Sequence, residues 1–497
     1  MKTILGLDIG SSSVKGALIG AGDGSLVCSA QSPANELEIR SPEPGWAEQD
    51  PATWWYHVLE VIKKLGEKSG SLNGVQAIGI SYQMHGLVVV DEKMSPLRPS
   101  IIWCDSRADS YGQSAWTALG SAWCLQHLLN NPANFTAAKL AWVRDQQPEI
   151  YRRIYKMMLP GDFIAMKLTG RIQTTASGLS EGIFWDFTNK RISTELLNHF
   201  GFDAALLPEV VPLFSKQSFV SPEAARLTGL PEGIPVGYRA GDQPNNALSL
   251  NVLNPGEVAA TAGTSGVIYG ILDRVGHDPA SRVNIFAHVN HGEPETRLGV
   301  LLCVNGTGIQ YAWLRRLLGN PAYPEMNSLA EKVEPGAAGI RIFPFGNGVE
   351  RIHQNQPFGG VWQHLDFNRH GKEHLVRAAQ EGIIFALNYG FEAMQEMGVR
   401  TETVRAGHAN LFLSDSFARI FSSVTGTRVE LYDTDGAIGA ARGAGIGAGL
   451  FKTPAEAFMN LKKIKEVEPE STLVSRYRDL YGGWKEEMES LLKINKP

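Results

Sequence analysis

The stretch Asp8-Ile9-Gly10-Ser11-Ser12-Ser13-Val14-Lys15 follows the apolar run Ile4-Leu5-Gly6-Leu7. It reads as a strand, a tight turn of small residues and a second strand. A matching stretch lies far downstream: Thr261-Ala262-Gly263-Thr264-Ser265-Gly266-Val267 follows Val258-Ala259-Ala260. Each turn presents backbone N–H groups and hydroxyls with no bulky side chain in the way. Phosphate oxygens are held by that chemistry. Two such turns predict a duplicated domain that grips a nucleotide between its halves.

The chain around them reads as an α/β duplication. It opens as a meander of strands over 3–9, 14–19 and 26–30. Asp50-Pro51 starts a helix, with Asp as the cap and Pro at the first helical position. Trp55, Val58, Leu59, Ile62 and Leu65 follow helical spacing along it. A buried strand over 75–80 leads into Ser81-Tyr82-Gln83-Met84-His85-Gly86, with another strand over 87–90. The stretch 107–168 is mostly helical, and 212–235 is irregular. Val236-Gly237-Tyr238 leads to Ala240-Gly241-Asp242-Gln243 at a strand end. Strands over 258–271 and 298–304 then repeat the scheme, with a long helix over 372–397. The boundary falls near 250, before Asn254-Pro255-Gly256, giving domains 1–250 and 251–497.

Bulk properties narrow the function. A chain of 497 residues exceeds one core, so two domains or more are expected. A net charge of −5 argues against a nucleic-acid partner. Arg315-Arg316 and Lys462-Lys463-Ile464-Lys465 read as solvated helix faces. Cys28, Cys104, Cys124 and Cys303 form no C-x-x-C pair, which supports neither a zinc site nor a disulfide scaffold. Reduced thiols fit a cytoplasmic location. The N-terminus reads as a strand, not a signal peptide, and no apolar run is long enough for a bilayer, so no membrane partner is expected.

Each candidate site residue has a functional and a structural reading. Asp8, at a strand end beside Gly10, could hold Mg²⁺ or cap its own turn. Asp242 could accept a proton from an attacking hydroxyl or be a common turn Asp. Met84-His85-Gly86 could meet a sugar, with His85 bonding a hydroxyl, or His85 could be a satisfied structural histidine. Trp46-Ala47-Glu48-Gln49-Asp50 and Trp103-Cys104-Asp105-Ser106-Arg107 combine an aromatic face with charge, as carbohydrate sites do. Their structural readings are helix capping by Asp50 and a surface ion pair of Asp105 with Arg107. The tract Gly443-Ala444-Gly445-Ile446-Gly447-Ala448-Gly449 fails as a dinucleotide motif, because position 448 is Ala and no strand is expected before it. Asp435-Gly436-Ala437-Ile438-Gly439 reads instead as the start of a close-packed helix.

The order of these motifs resembles the FGGY carbohydrate kinase family, and within it the xylulokinase branch. The resemblance runs from Gly6 to about Gly449. Gly6-Leu7-Asp8-Ile9-Gly10-Ser11-Ser12 and Gly263-Thr264-Ser265-Gly266 resemble the two phosphate motifs. Trp46 to Pro51 and Gln83-Met84-His85-Gly86 are similar to xylulokinase segments. Phe135-Thr136-Ala137-Ala138-Lys139-Leu140-Ala141-Trp142 resembles the first family signature. Glu350-Arg351 and the run from Gly359 to Gly382 resemble the second. The family implies an actin-like, ribonuclease-H-like ATPase fold, with two domains around a central cleft. It implies ATP and Mg²⁺, a small-molecule sugar substrate and, by motif match, Asp242 as base and Asp8 as the metal organiser. Gln83, Met84, His85, Trp103, Asp105, Asp242 and Gln243 are then the expected sugar contacts. Gly10, Ser11, Ser12, Gly263, Thr264, Ser265, Gln310, Gly407 and His408 are the expected nucleotide contacts. A homodimer is the expected assembly. Two positions depart from the family pattern. Ala406-Gly407-His408-Ala409 places His408 where glycines are usual, so its ring would crowd or stack near the nucleotide. Gln243 is glycerol-kinase-like beside a xylulokinase-like Met-His-Gly. The rivals are a kinase for another ketose, polyol or aldonate, an actin-like ATPase, and a silent sugar sensor.

Overall fold

The two small-residue turns occupy equivalent places in two sheets of the same strand order. In the computed structural model, which describes residues 1–292, 294–348, 350–356 and 358–494, the first sheet starts as a meander. Its strands are β1 (Thr3–Ile9), β2 (Val14–Gly20) and β3 (Leu26–Ser32). Strand β4 (Val75–Tyr82) lies parallel to β1, and β5 (Pro235–Gly241) parallel to β4. The order is β3-β2-β1-β4-β5, with a short edge strand, Ser218–Phe219, beyond β5. The second sheet holds β6 (Val258–Ala262), β7 (Gly266–Leu272), β8 (Leu298–Val304), β9 (Thr403–Gly407) and β10 (Arg428–Tyr432). Its order, β8-β7-β6-β9-β10, repeats the first, with antiparallel β6–β7–β8 and parallel β6–β9–β10. Asn284–Ala287 and Lys463–Val467 extend its two edges.

Helices follow the local signals. Helix α1 (Pro51–Ser69) begins where the Asp50 carboxylate accepts the Ala52 N–H. It buries Trp54, Val58, Val61, Ile62 and Leu65. Trp54 is fully buried and Trp55 packs partly buried against the same core; the Trp54 indole N–H donates to Gln49 Oε1 at 3.1 Å. The stretch 107–168 contains helices Asp109–Leu119, Ser121–His127, α2 (Thr136–Gln146) and Pro160–Thr169, interrupted by a strand, Lys156–Met158. Downstream come α3 (Ala176–Glu181), α4 (Asp242–Ser249), α5 (Gly308–Leu317), α6 (Lys372–Glu396) and α7 (Gly436–Gly447). The irregular reading of 212–235 is corrected by a helix, Pro222–Thr228, capped by the Ser221 hydroxyl on the Ala224 N–H.

The glycine tract requires a second correction. Strand β10 does precede it. Gly443, Gly445 and Gly447 nonetheless lie within α7, where they serve packing, and Gly449 follows its end. A Cβ on Gly6 of β1 would stand 1.9 Å from Ala437 O, one on Gly79 of β4 1.9 Å from Ala440 O, and one on Gly237 of β5 2.6 Å from Ala444 O. Residues 437, 440 and 444 share one helix face. One bare glycine on each of three adjacent strands thus lets α7 lie backbone to backbone on the sheet. All strands of the first sheet precede residue 250 and all strands of the second follow it, yet α7 crosses back under the first. Gly79→Ala is expected to cost about 1–3 kcal/mol, because the obstacle is backbone and cannot rotate away. Chemical denaturation of the variant checks this, and an unchanged midpoint would refute the packing account.

Candidate active site

Asp8 and Asp242 come from opposite ends of the first half and lie at the C-terminal ends of the two strands flanking β4, close enough for their charges to interact. Asp8 lies on β1, in register with Ser81 on β4 and Lys15 on β2. Asp242 follows β5 directly and is the first residue of α4. Burial pushes the Asp242 carboxyl up to about 7, the nearby Asp8 charge pushes the same way, and the Gln243 N–H opposes both. Burial also raises Asp8, against the pull of Ser81 and Lys15. The N-terminus of α7 abuts this pair. A Cβ on Gly436 would be 2.5 Å from Asp8 Oδ2, and Asn245 Nδ2 donates to Gly436 O at 2.9 Å, tying α4 to α7. A helix N-terminus favours the anionic form of a neighbouring carboxylate.

The first turn is held from outside. Gly10 N–H donates to Ser13 O at 3.0 Å, and Gln49 Nε2 donates to Ser11 O at 2.6 Å. Trp103 Nε1 reaches Ser11 Oγ at 3.5 Å, while Ser12 is exposed. The second turn is held by the start of α5. Gly308 N–H donates to Gly263 O at 3.0 Å and Ile309 N–H to Thr264 O at 3.1 Å. A Cβ on Gly263 would lie 3.4 Å from the Asn410 amide. Cys303, at the end of β8, interacts with both Ser265 and Asp242, so the second turn and Asp242 border one space. Burial, then Glu350, pushes its thiol up to about 12.

His85 adopts φ 59°, a left-handed conformation that is costly outside glycine. Its Nδ1 donates to Glu181 O at 2.9 Å. Burial, reinforced by Lys139, depresses the ring to about 3, so the imidazole is neutral. With the proton on Nδ1, Nε2 is left as an acceptor. Phe135 meets the ring edge-on at 4.8 Å and Phe286, from the second half, lies at 5.3 Å. Arg351, also from the second half, lies 5.6 Å over Phe135 and within electrostatic reach of His85 and Asp109. Buried Lys139 donates to His85 O at 2.9 Å and to Ile102 O at 3.0 Å, joining the His85 and Trp103 loops. Met84 is buried against Gly241. Gln83 Nε2 donates to Gln49 Oε1 at 3.1 Å, leaving Gln83 Oε1 buried without a partner; Gln243 Oε1 is equally unpartnered. Such buried acceptors call for an outside donor.

One expected contact needs adjustment. Asp105 is fully buried, and its oxygens accept from Arg107 Nη2 at 2.6 Å and from the Ala47 N–H at 2.5 Å. Its carboxylate is thus spent on protein partners. The pair with Arg107 is internal, not the surface pair of the structural reading. Arg107 also meets Glu48 at 2.7 Å and stacks on Trp46 at 3.8 Å. Gln310, on α5 just after the residues that hold the second turn, lines a cavity of about 420 Å³ with Ile309, Trp313 and Trp362. Both ends of its amide are buried without partners. Gly407 ends β9, and the His408 side chain is exposed. Gln49 and Lys139 carried a sequence signal, since both stand inside the quoted motifs. Cys303, Phe286 and Glu181 carried none.

The residues 3–249 match the model of the FGGY family of carbohydrate kinases, N-terminal domain. The chain is 29% identical to a xylulose kinase of Bacillus subtilis (strain 168), over 98% of this chain and 96% of that one. It is 28% identical to a xylulose kinase of Escherichia coli (strain K12), over 92% of each. Among solved structures, the xylulose kinase from Rhodospirillum rubrum superposes with a TM-score of 0.88 at 26% identity, covering 99% of this chain and all of that one. The duplicated sheets are accordingly those of the actin-like ATPase fold. Strand order, paired turns and family match agree, and the chain belongs to the FGGY family of carbohydrate kinases.

Proposed function

We propose that the chain transfers the γ-phosphoryl group of ATP to the terminal hydroxyl of D-xylulose, giving D-xylulose 5-phosphate. The observation that carries this reading is the Asp242 carboxyl, held near pH 7 beside the unpartnered oxygens of Gln83 and Gln243. A base is most effective when its pKa lies near the working pH. A polyhydroxylated ligand supplies the hydroxyl donors those oxygens lack. The choice of D-xylulose rests on the names of the similar proteins and on Gln83-Met84-His85-Gly86.

In this reading the ketose hydroxyls donate to His85 Nε2 and to the Gln83 and Gln243 oxygens, with Trp103 and Met84 as apolar walls. Gly10-Ser11-Ser12 and Gly263-Thr264-Ser265 hold the phosphates. Asp242 takes the proton of the attacking hydroxyl as its oxygen bonds to the γ-phosphorus. The electrons of the breaking P–O bond leave with ADP. The Gln310 amide, Gly407 and His408 border the nucleoside side. Two facing carboxylates that resist ionisation fit a cation, and among the described residues no group of three or more His, Cys, Asp or Glu gathers. That sparse set suits Mg²⁺, which takes one or two carboxylates with phosphate and water. Asp8 would hold it, and when bound it neutralises phosphate charge. Closure of the halves keeps water from competing as the acceptor.

One observation favours a second reading. The Arg351 guanidinium faces the His85–Phe135 wall, where it suits an aldonate carboxylate. ADP release from Mg·ATP over a panel of pentuloses, hexuloses, polyols and aldonates separates the two. Turnover confined to D-xylulose supports the first; turnover confined to aldonates replaces it with the second; none removes both. His85→Ala is expected to raise the sugar KM about tenfold with a smaller effect on kcat, as lost ground-state binding does. An unchanged KM would remove His85 from the sugar wall.

A further inference from the structure

A carboxyl group that the mechanism does not use lies behind Asp242. Glu181 is the last residue of α3 and is 1% exposed. A Cβ on Gly241 would stand 2.4 Å from Glu181 Oε2 and 2.5 Å from Met84 Cγ. The absent side chain of Gly241 is therefore the space that Glu181 and Met84 fill. Through its main chain, the same residue accepts the His85 Nδ1 proton at 2.9 Å. Its Oε1 is buried without a hydrogen-bond partner. One residue thus touches the segment carrying the base, the apolar wall and the histidine that presents its Nε2.

We propose that Glu181 is a positioning residue of the phosphoryl-acceptor site, bracing Gly241–Asp242 and Met84 from behind with its side chain while its carbonyl orients His85. The inference rests on the reading of Asp242 and His85 given above. Charge supports it. The groups facing the Glu181 carboxyl are Asp242, Asp162, Tyr82 and Tyr269. Arg239 is engaged with Asp162 at 3.3 Å. Burial first, then the Asp242 and Asp162 charges, pushes Glu181 well above the usual carboxylate range. The shift favours the uncharged acid, which fills space behind the base without adding a negative charge to it. Ionised, it would set a like charge against Asp242 and press the wall outward.

The test compares wild type, Glu181→Ala and Glu181→Gln over pH 6–10, reading kcat and the sugar KM separately. Glu181→Ala is expected to lose about tenfold or more in kcat, because a shifted base is a poor one, and to raise the KM as the Met84 wall loses its support. Glu181→Gln, isosteric with the neutral acid, is expected to restore most of that rate and to keep it at alkaline pH, where wild type declines. A merely structural role would lower the amount of active enzyme and leave KM and the pH profile unchanged. A Glu181→Ala variant with wild-type kcat and KM overturns the proposal. So does a Glu181→Gln variant as impaired as Glu181→Ala, or one whose alkaline decline matches wild type. Wild type without sugar-dependent turnover on the whole panel would instead remove the reading beneath it.

Discussion

Asp242→Asn abolishes most sugar-dependent turnover and, above neutral pH, makes the protein harder to unfold. Loss of a general base costs about 10²–10⁴-fold in rate. The sugar KM should change little, because Asn keeps the shape and one acceptor oxygen. The stability gain follows from the same burial that raises the Asp242 carboxyl. The folded carboxyl titrates near 7, above its ordinary 3.8. The folded state therefore holds its proton more tightly than the unfolded chain. Its favourable contribution is complete below about pH 4 and is lost as pH rises through about 7. Beyond that, an ionised group next to Asp8 strains the fold by an amount on the order of 2–4 kcal/mol. Asn carries no such charge. Thermal unfolding of the ligand-free protein should give the variant a higher midpoint at pH 8.5 and a clearly smaller advantage at pH 5. A variant as active as wild type would sink the base assignment; equal midpoints at both pH values would sink the electrostatic account.

Asp8→Asn has the second largest expected effect. It should lower turnover by about 10²-fold or more, since the carboxylate would hold the cation that neutralises the phosphates. It should also raise the Mg²⁺ concentration needed for half-maximal rate. A distinct signature comes from the free protein. The Asp8 charge is the second-largest cause of the raised Asp242 carboxyl. Removing it lowers the pH at which Asp242 ionises, so the acid limb of kcat/KM moves down. The stability gains of Asp8→Asn and Asp242→Asn at pH 8.5 should then fall short of additivity when combined, because either substitution relieves the same repulsion. Additive gains would mean that the two carboxylates do not sense each other.

The parts of this site that rest on local chemistry were legible in the chain. A Gly-Ser-Ser or Gly-Thr-Ser turn after an apolar strand specifies its own geometry, and both turns were found between paired strands. Asp50-Pro51 announced α1, and the small residues after Asp435 announced a closely approaching helix. Asp105 shows where local reading stops. An Asp two residues before an Arg is the same in sequence whether the pair is exposed or enclosed. Only the Ala47 N–H and the Glu48–Arg107 contact, both brought from the segment before α1, make it internal. The strands β9 and β10 were missed because short buried strands and helix segments share the same apolar composition.

By itself, the sequence determined which functional groups exist and on which turns they ride. Turn propensity, capping and apolar periodicity act over a few residues. Tertiary structure alone decided what those groups can do. It brought Asp8 against Asp242, left the Gln83 and Gln243 oxygens without partners, gave His85 its tautomer through Glu181, and set Phe286 and Arg351 from the second half against the first. Each of these depends on desolvation and on contacts between residues far apart in the chain. Those energies arise only when the two sheets and α7 close around the same space.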